Sequence, residues 1–294
     1  MIALLTVQLL FGSLPVIAKV VLAELPAATL VGIRVLIAAI VLLGVQTFRK
    51  RVWLQRRNDY LQLAILGFFG VVLNQLLFIG GLSLTKASNT SLLVVTIPIF
   101  TLVVGVIIGS ERLHFIKVLG VVLSALGAII LIDPRKASFS SQTTIGDLMI
   151  VCNSLAFGIY VATSKEVVTR NGAFRSMMWV FIFACIFCVP AGAYSLLIGE
   201  TANQFSPKIT LLVVYISIFA TAVPYLLNAY AITRVSPAIV AVFIYLQPLI
   251  GFILAAVFLN ETLDIRFVFA AMLVFAGVFL VTRSRTADVL PASA

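Results

Sequence analysis

Chemistry in this chain rests on a few polar residues set among apolar ones. If residues 2–23 are helical, Gln8, Gly12, Pro15 and Lys19 fall at i, i+4, i+7 and i+11 and share one face. Ser154, Gly158, Val161 and Lys165 repeat that spacing further along. Asn74 and Gln75 are adjacent, Tyr225 and Asn228 sit one turn apart beside Pro224, and Tyr245 and Gln247 precede Pro248. Arg34 stands in "GIRVLIAA", well inside an apolar run. These groups offer amides, phenols and cations, and Phe11, Phe157 and Tyr160 add aromatic surface. Such a set can bind a small polar molecule, or its members can satisfy one another between helices. It does not suit catalysis. No nucleophile–base pair, zinc spacing or phosphate loop is legible, and the single histidine, His114, falls between apolar runs. Neither an enzyme, a cofactor nor a metal site is expected.

What must position these residues follows from composition. The chain has 294 residues, of which 62% are hydrophobic and 10% charged, and its mean hydropathy is +1.21. A soluble domain does not have that composition, so lipid is the expected solvent. Ten apolar stretches fall at about 2–23, 27–48, 60–83, 88–109, 113–132, 145–168, 174–198, 208–232, 236–259 and 265–282, each near the roughly 20 residues that a spanning helix needs. Backbone satisfaction in hydrocarbon makes them helices, and none shows the short alternation of a barrel strand. The first stretch lacks the positive charge of a signal peptide and is too long for one. Cys152, Cys185 and Cys188 all lie within spans, and "CIFC" reads as packing. The formal charge is +10, and five of the 20 basic residues, Arg49, Lys50, Arg51, Arg56 and Arg57, sit together between two spans. That is a juxtamembrane cluster rather than a nucleic-acid surface. The loop bias puts both termini in the cytoplasm.

The chain also repeats itself. Pro98, Glu111 and Gly127 are answered with the same spacing by Pro248, Glu261 and Gly277. "FGSLPVIAK" at Phe11 is answered by "FGIYVATSK" at Phe157, and "LTKAS" by "ITRVS". The expected organisation is a five-span repeat over 1–132, a linker over 133–144, a second repeat over 145–282 and a tail over 283–294. An odd number of spans forces the second repeat to enter the membrane from the opposite side. The expected fold is therefore an all-α integral membrane protein of ten transmembrane helices, built as two inverted five-helix repeats (5+5). Inverted repeats supply two access states of similar energy, as secondary transporters require. Pro98 and Pro248 each remove a backbone donor, giving a static kink or a hinge. Gly105 and Gly251, in stripes of small residues, are expected to allow close helix approach. Glu111 and Glu261 lie at helix junctions, where each is expected to cap the span that follows it and to anchor neighbouring helices rather than bind substrate or a proton.

The proline–glutamate–glycine spacing, used twice in a chain of this build, together with the arginine early in the second span, resembles the EamA-type transporters of the drug/metabolite transporter superfamily. The resemblance covers about residues 2 to 282. It implies export or exchange of small metabolites, often amino acids or related compounds, through a central cavity between the halves. On this reading Gln8, Gly12, Lys19, Arg34, Asn74, Gln75, Ser154, Gly158, Tyr160, Tyr225, Asn228, Tyr245 and Gln247 line the pathway. No carboxylate falls in the middle of a span. A substrate carboxylate can meet Arg34 or Lys19, whereas a cationic ligand finds no anion. The substrate is expected to be a zwitterionic or anionic metabolite with an apolar part. Arg34 can alternatively snorkel or serve structure alone. Alternating access is expected by rocking of 1–132 against 145–282, without ATP or an obligatory ion gradient. The expected setting is a bacterial plasma membrane, and the expected state a monomer or weak homodimer. A membrane sensor or scaffold without transport is the alternative.

Overall fold

A computed structural model describes residues 1–132, 143–198, 206–250, 253 and 265–283. Among these residues no strand occurs. The helices are α1 (Ile2–Leu22), α2 (Ala27–Phe48), α3 (Arg57–Leu84), α4 (Ala87–Val94), α5 (Ile97–Ile107), α6 (Phe115–Ile132), α7 (Thr144–Asn171), α8 (Ala173–Ile198), α9 (Pro207–Ile232), α10 (Pro237–Val242) and α11 (Ile265–Arg283). Seven helical stretches among the described residues are long and apolar enough to cross a membrane, with α4 and α5 counted as one. Shorter apolar helices run over Phe115–Ile130, Pro237–Ile250 and Phe267–Arg283. Apolar side chains such as Ile40, Phe115, Ile186 and Phe279 face outward, while Gln8, Arg34, Asn153 and Ser217 are buried. That distribution belongs to an integral membrane protein, because lipid solvates the apolar exterior and only the interior offers hydrogen-bond partners.

The helices of the two halves interleave instead of forming separate lobes. The most extensive contacts join α2 to α8, α6 to α11, and α7 to both α3 and α5. Small residues bring the first two pairs together. A Cβ on Gly32 would lie 2.8 Å from the Cys188 carbonyl oxygen, and one on Gly127 would lie 2.8 Å from that of Ala270. Cys188 is buried in the α2–α8 contact, while Cys185 Sγ is 3.9 Å from the Val35 carbonyl.

Four irregular turns place functional groups. In α3 the residues Phe68–Leu73 form a π-helix, and in α9 so do Ile218–Ala222. Their starts are 150 positions apart, and Gly70 in one corresponds to Ala220 in the other. Ahead of Pro98 the helix breaks at Val95 and Thr96, and ahead of Pro248 it tightens to a 3₁₀ turn at Phe243–Tyr245. Each proline thus follows an irregular turn and stands in the helix that resumes after it. The Thr96 hydroxyl donates to the Leu93 carbonyl at 2.6 Å, supplying a donor at the break.

Two expectations about the junction after α5 need correction. Gly105 does not serve helix approach: a Cβ there would meet Glu111 Cγ at 2.8 Å, so its bareness makes room for that side chain. Nor does Glu111 cap the following helix, α6. The chain turns at Gly109, in the left-handed region at φ 73°, and carries Glu111 into the bundle. There Oε1 accepts the Ala238 N–H at 2.8 Å, satisfying an otherwise orphaned donor at the start of α10. Oε2 accepts from Lys117 Nζ at 2.8 Å. Both side chains are buried. Glu111 therefore ties one half to the start of a helix in the other. Gly251, Glu261 and most of the 133–144 linker lie outside the described residues.

Candidate functional site

A cavity of about 420 Å³ opens where α1, α2, α3, α4, α7, α9 and the turn after α10 converge, a size suited to a small molecule. From α1 come Gln8, Phe11, Gly12 and Pro15, and from α2 Arg34. Asn74, Gln75 and Phe78 follow the π turn of α3, and Tyr225 and Asn228 follow that of α9. Thr90, Ser91, Asn153, Phe157, Tyr245, Gln247 and Pro248 complete the polar and aromatic lining.

The π turns explain how two of these residues are held. A π turn disturbs the regular hydrogen-bond ladder and leaves carbonyls accessible to side chains. Arg34 is fully buried, and its Nη2 donates to the Ala220 carbonyl at 3.0 Å. Its Nε donates to Thr221 Oγ1 at 2.8 Å, while that hydroxyl donates to the Ile216 carbonyl at 2.8 Å. The corresponding carbonyl in α3, Gly70 O, lies 2.7 Å from the Tyr225 hydroxyl, and Asn74 Oδ1 lies equally close. The hydroxyl's single proton serves one of these acceptors, and Gln75 Nε2 donates to the same oxygen at 3.2 Å. The Tyr225 ring meets Phe181 and Phe11 edge to face, with centroids 5.3 and 6.0 Å apart. Across the cavity Gln247 Nε2 donates to Gln8 Oε1 at 2.8 Å, and Asn153 Nδ2 donates to the Asn74 carbonyl at 2.9 Å.

Not every polar atom is satisfied. Arg34 Nη1, Asn228 Oδ1 and the Tyr245 hydroxyl are buried without a hydrogen-bond partner among the described residues, and all three residues line this cavity. Among the described residues no carboxylate pairs with Arg34. An unpaired buried polar group costs about 1–3 kcal/mol, and more if charged. The cavity thus presents a cationic donor, a neutral acceptor and a hydroxyl, each available to an occupant.

Four residues expected on the pathway lie elsewhere. Lys19 is three turns beyond Gln8, and its Nζ donates to the Thr85 carbonyl at 2.9 Å, capping the end of α3. Ser154 Oγ donates to the Ile150 carbonyl at 3.0 Å. Gly158 faces α5: a Cβ there would be 3.0 Å from Thr101 N. The Tyr160 hydroxyl donates to Met177 Sδ at 3.4 Å, and its ring backs the Tyr225 ring with centroids 6.3 Å apart. On α7 it is Asn153 and Phe157 that face the cavity, one position from the stripe read in the sequence. Asn153 was legible as a lone amide in mid-span. Thr90 and Ser91 gave no such signal, since hydroxyls near a helix start ordinarily serve local bonds.

Comparisons with known proteins agree with this architecture. A family model described as the EamA-like transporter family matches residues 1–133 and 144–283. A protein of Archaeoglobus fulgidus, named only as an uncharacterized transporter, is 27% identical over 266 residues, covering 90% of each chain. The uncharacterized transporter YetK of Bacillus subtilis is 22% identical over 291 residues, covering 96% of this chain and 86% of its own. A solved structure titled "Crystal structure of protein" matches with a TM-score of 0.79 at 18% identity, covering 98% of each chain. That likeness speaks for the fold.

Proposed function

This chain belongs to the EamA-like transporter family, and from that premise we propose that it is a secondary transporter, exporting or exchanging small zwitterionic or anionic metabolites of the amino-acid kind through the cavity beside Arg34. The observation that carries the substrate class is the trio of buried, partnerless atoms. A carboxylate would complete Arg34 Nη1 and the Tyr245 hydroxyl, and an ammonium or hydroxyl would complete Asn228 Oδ1. Phe11, Phe78 and Phe157 would take an apolar portion. A lipophilic cation would bring its charge beside an arginine that has no described counter-ion. The chemistry is binding and release, with no catalytic step and no cofactor.

The protein works, on this reading, by alternating access across ten spans in two inverted five-helix repeats, without ATP and without an obligatory ion gradient. Rocking of whole halves would part the tight α2–α8 and α6–α11 contacts. The irregular turns ahead of Pro98 and Pro248 offer another movement, in which α4 and α10 would swing while those contacts stay closed. The working unit is a monomer or weak homodimer in a bacterial plasma membrane, with both termini in the cytoplasm. In a cysteine-free background, Gln55→Cys is expected to label only from the cytoplasm and Ser140→Cys only from the opposite side. Labelling of either from both sides would defeat the inverted topology.

The function itself is tested by counterflow in proteoliposomes loaded with a panel of metabolites. Exchange of amino-acid-like zwitterions or organic anions, with no exchange of quaternary ammonium compounds, is the expected result. Selective exchange of the ammonium compounds would overturn the substrate class.

A further inference from the structure

Between α2 and α3 the chain reads "RKRVWLQRR", from Arg49 to Arg57. Its five cations, Arg49, Lys50, Arg51, Arg56 and Arg57, are all exposed. Among the described residues none of them has a carboxylate partner. The nearest acid in sequence, Asp59, is buried and engaged by Arg170 Nη2 at 2.5 Å and Asn171 Nδ2 at 2.8 Å. A loop that merely joined two spans would have no need of a fixed shape, yet this one is pinned. Trp179 Nε1 donates to the Val52 carbonyl and Arg175 Nη1 to the Trp53 carbonyl, both at 2.9 Å. The Gln55 N–H donates to Asn171 Oδ1 at 3.0 Å. Lys50 takes a left-handed conformation, φ 52°, and Gln46 Nε2 closes the turn on the Arg51 carbonyl at 2.9 Å. The backbone that carries the cations is thereby held in place, and the Arg49 guanidinium lies over the Phe174 ring, 4.8 Å from its centroid. Beside them two aromatic side chains project outward, Phe48 at 92% exposure and Trp53 at 75%.

Cations carried on a pinned loop next to projecting aromatics, at the level where α2 leaves its apolar run, match the chemistry of a membrane interface. Indole rings settle at headgroup depth and phenyl rings enter the acyl boundary beside them, while Lys and Arg attract anionic lipids. A partner in free solution would give no reason to leave Phe48 bare at the end of a lipid-facing helix. We propose that residues 49–57 form a binding site for an anionic phospholipid, with the phosphodiester held by the loop cations and the acyl chains running beside Phe48 and Trp53. The site lies apart from the cavity and stands whether or not the transport reading holds.

The test uses the full chain in phosphatidylcholine vesicles carrying brominated lipid, which quenches nearby tryptophan. The chain has two tryptophans, so subtracting the signal of Trp53→Phe isolates Trp53. Brominated phosphatidylglycerol is expected to quench Trp53 at concentrations about tenfold lower than brominated phosphatidylcholine does, with the preference shrinking at high salt. The pair Lys50→Gln and Arg51→Gln should lower that preference at least about fivefold, whereas Lys50→Arg with Arg51→Lys should keep it, which separates lost charge from lost folding. Equal quenching by the two lipids in the unaltered protein would overturn the proposal. So would reversal by excess soluble glycerol phosphate, which would make this a site for a free anion instead of a lipid.

Discussion

Replacing Arg34 with glutamine is expected to cut counterflow of a carboxylate substrate roughly 10- to 100-fold more than counterflow of its neutral amide analogue. The magnitude is that of one charge-assisted hydrogen bond, about 1.5–3 kcal/mol, with each 1.4 kcal/mol worth tenfold. The comparison between two substrates is needed because Arg34 has two duties. Its Nε and Nη2 hold Thr221 and the Ala220 carbonyl of the π turn in α9, and only Nη1 is left for a ligand. Loss of the structural pair weakens transport of both compounds alike, while loss of the ligand contact weakens only the acid. Equal loss for both would leave Arg34 as a brace for α9 and remove the reason for expecting an anionic group. Arg34→Lys should also fail with the acid, because one ammonium cannot hold the π turn and a carboxylate with a planar fork.

The other large effect concerns stability. Glu111→Gln is expected to destabilise the folded bundle by about 1.5–3 kcal/mol, the usual worth of a buried hydrogen bond to a charged group. Glutamine can still accept from the Ala238 N–H, so the cap on α10 survives. What goes is the carboxylate 2.8 Å from Lys117 Nζ, a lysine at 2% exposure. Thermal unfolding in detergent is the measurement, with Lys117→Met added in the same chain as the control. The double variant should regain much of the loss, since an apolar side chain needs no counter-charge there. A single variant as stable as the unaltered protein would mean that the pair contributes nothing.

Much of the build could be read from residue types. Ten apolar runs, the doubled proline–glutamate–glycine spacing and the amides in mid-span pointed to a helical membrane protein with a wet interior. Gln8 and Gly12, Asn74 and Gln75, Tyr225 and Asn228, and Tyr245 and Gln247 do come together around one cavity. The errors share a cause. A stripe of small and polar residues has the same spacing whether it faces water or another helix, so Ser154 and Gly158 looked like lining but pack on α4 and α5. Lys19 lay on the right face yet too far along it, within reach of the end of α3. Glu111 illustrates a further limit. Sequence shows which helix comes next along the chain, whereas the helix that Glu111 caps is a neighbour only in space.

The two π turns make these helices change phase partway along. Each inserts about one residue relative to regular α geometry, and one residue corresponds to roughly 100° of rotation. Downstream of Leu73 and of Ala222, a helical wheel drawn from the start of α3 or α9 therefore assigns the wrong face. Asn74, Gln75 and Tyr225 owe their inward direction to that offset. Deleting Val71 alone would leave composition and hydropathy almost unchanged, yet it would swing two amides away from the cavity and toward hydrocarbon or a neighbouring helix. In this bundle, the count of residues through a turn governs what the interior presents as firmly as their identity does.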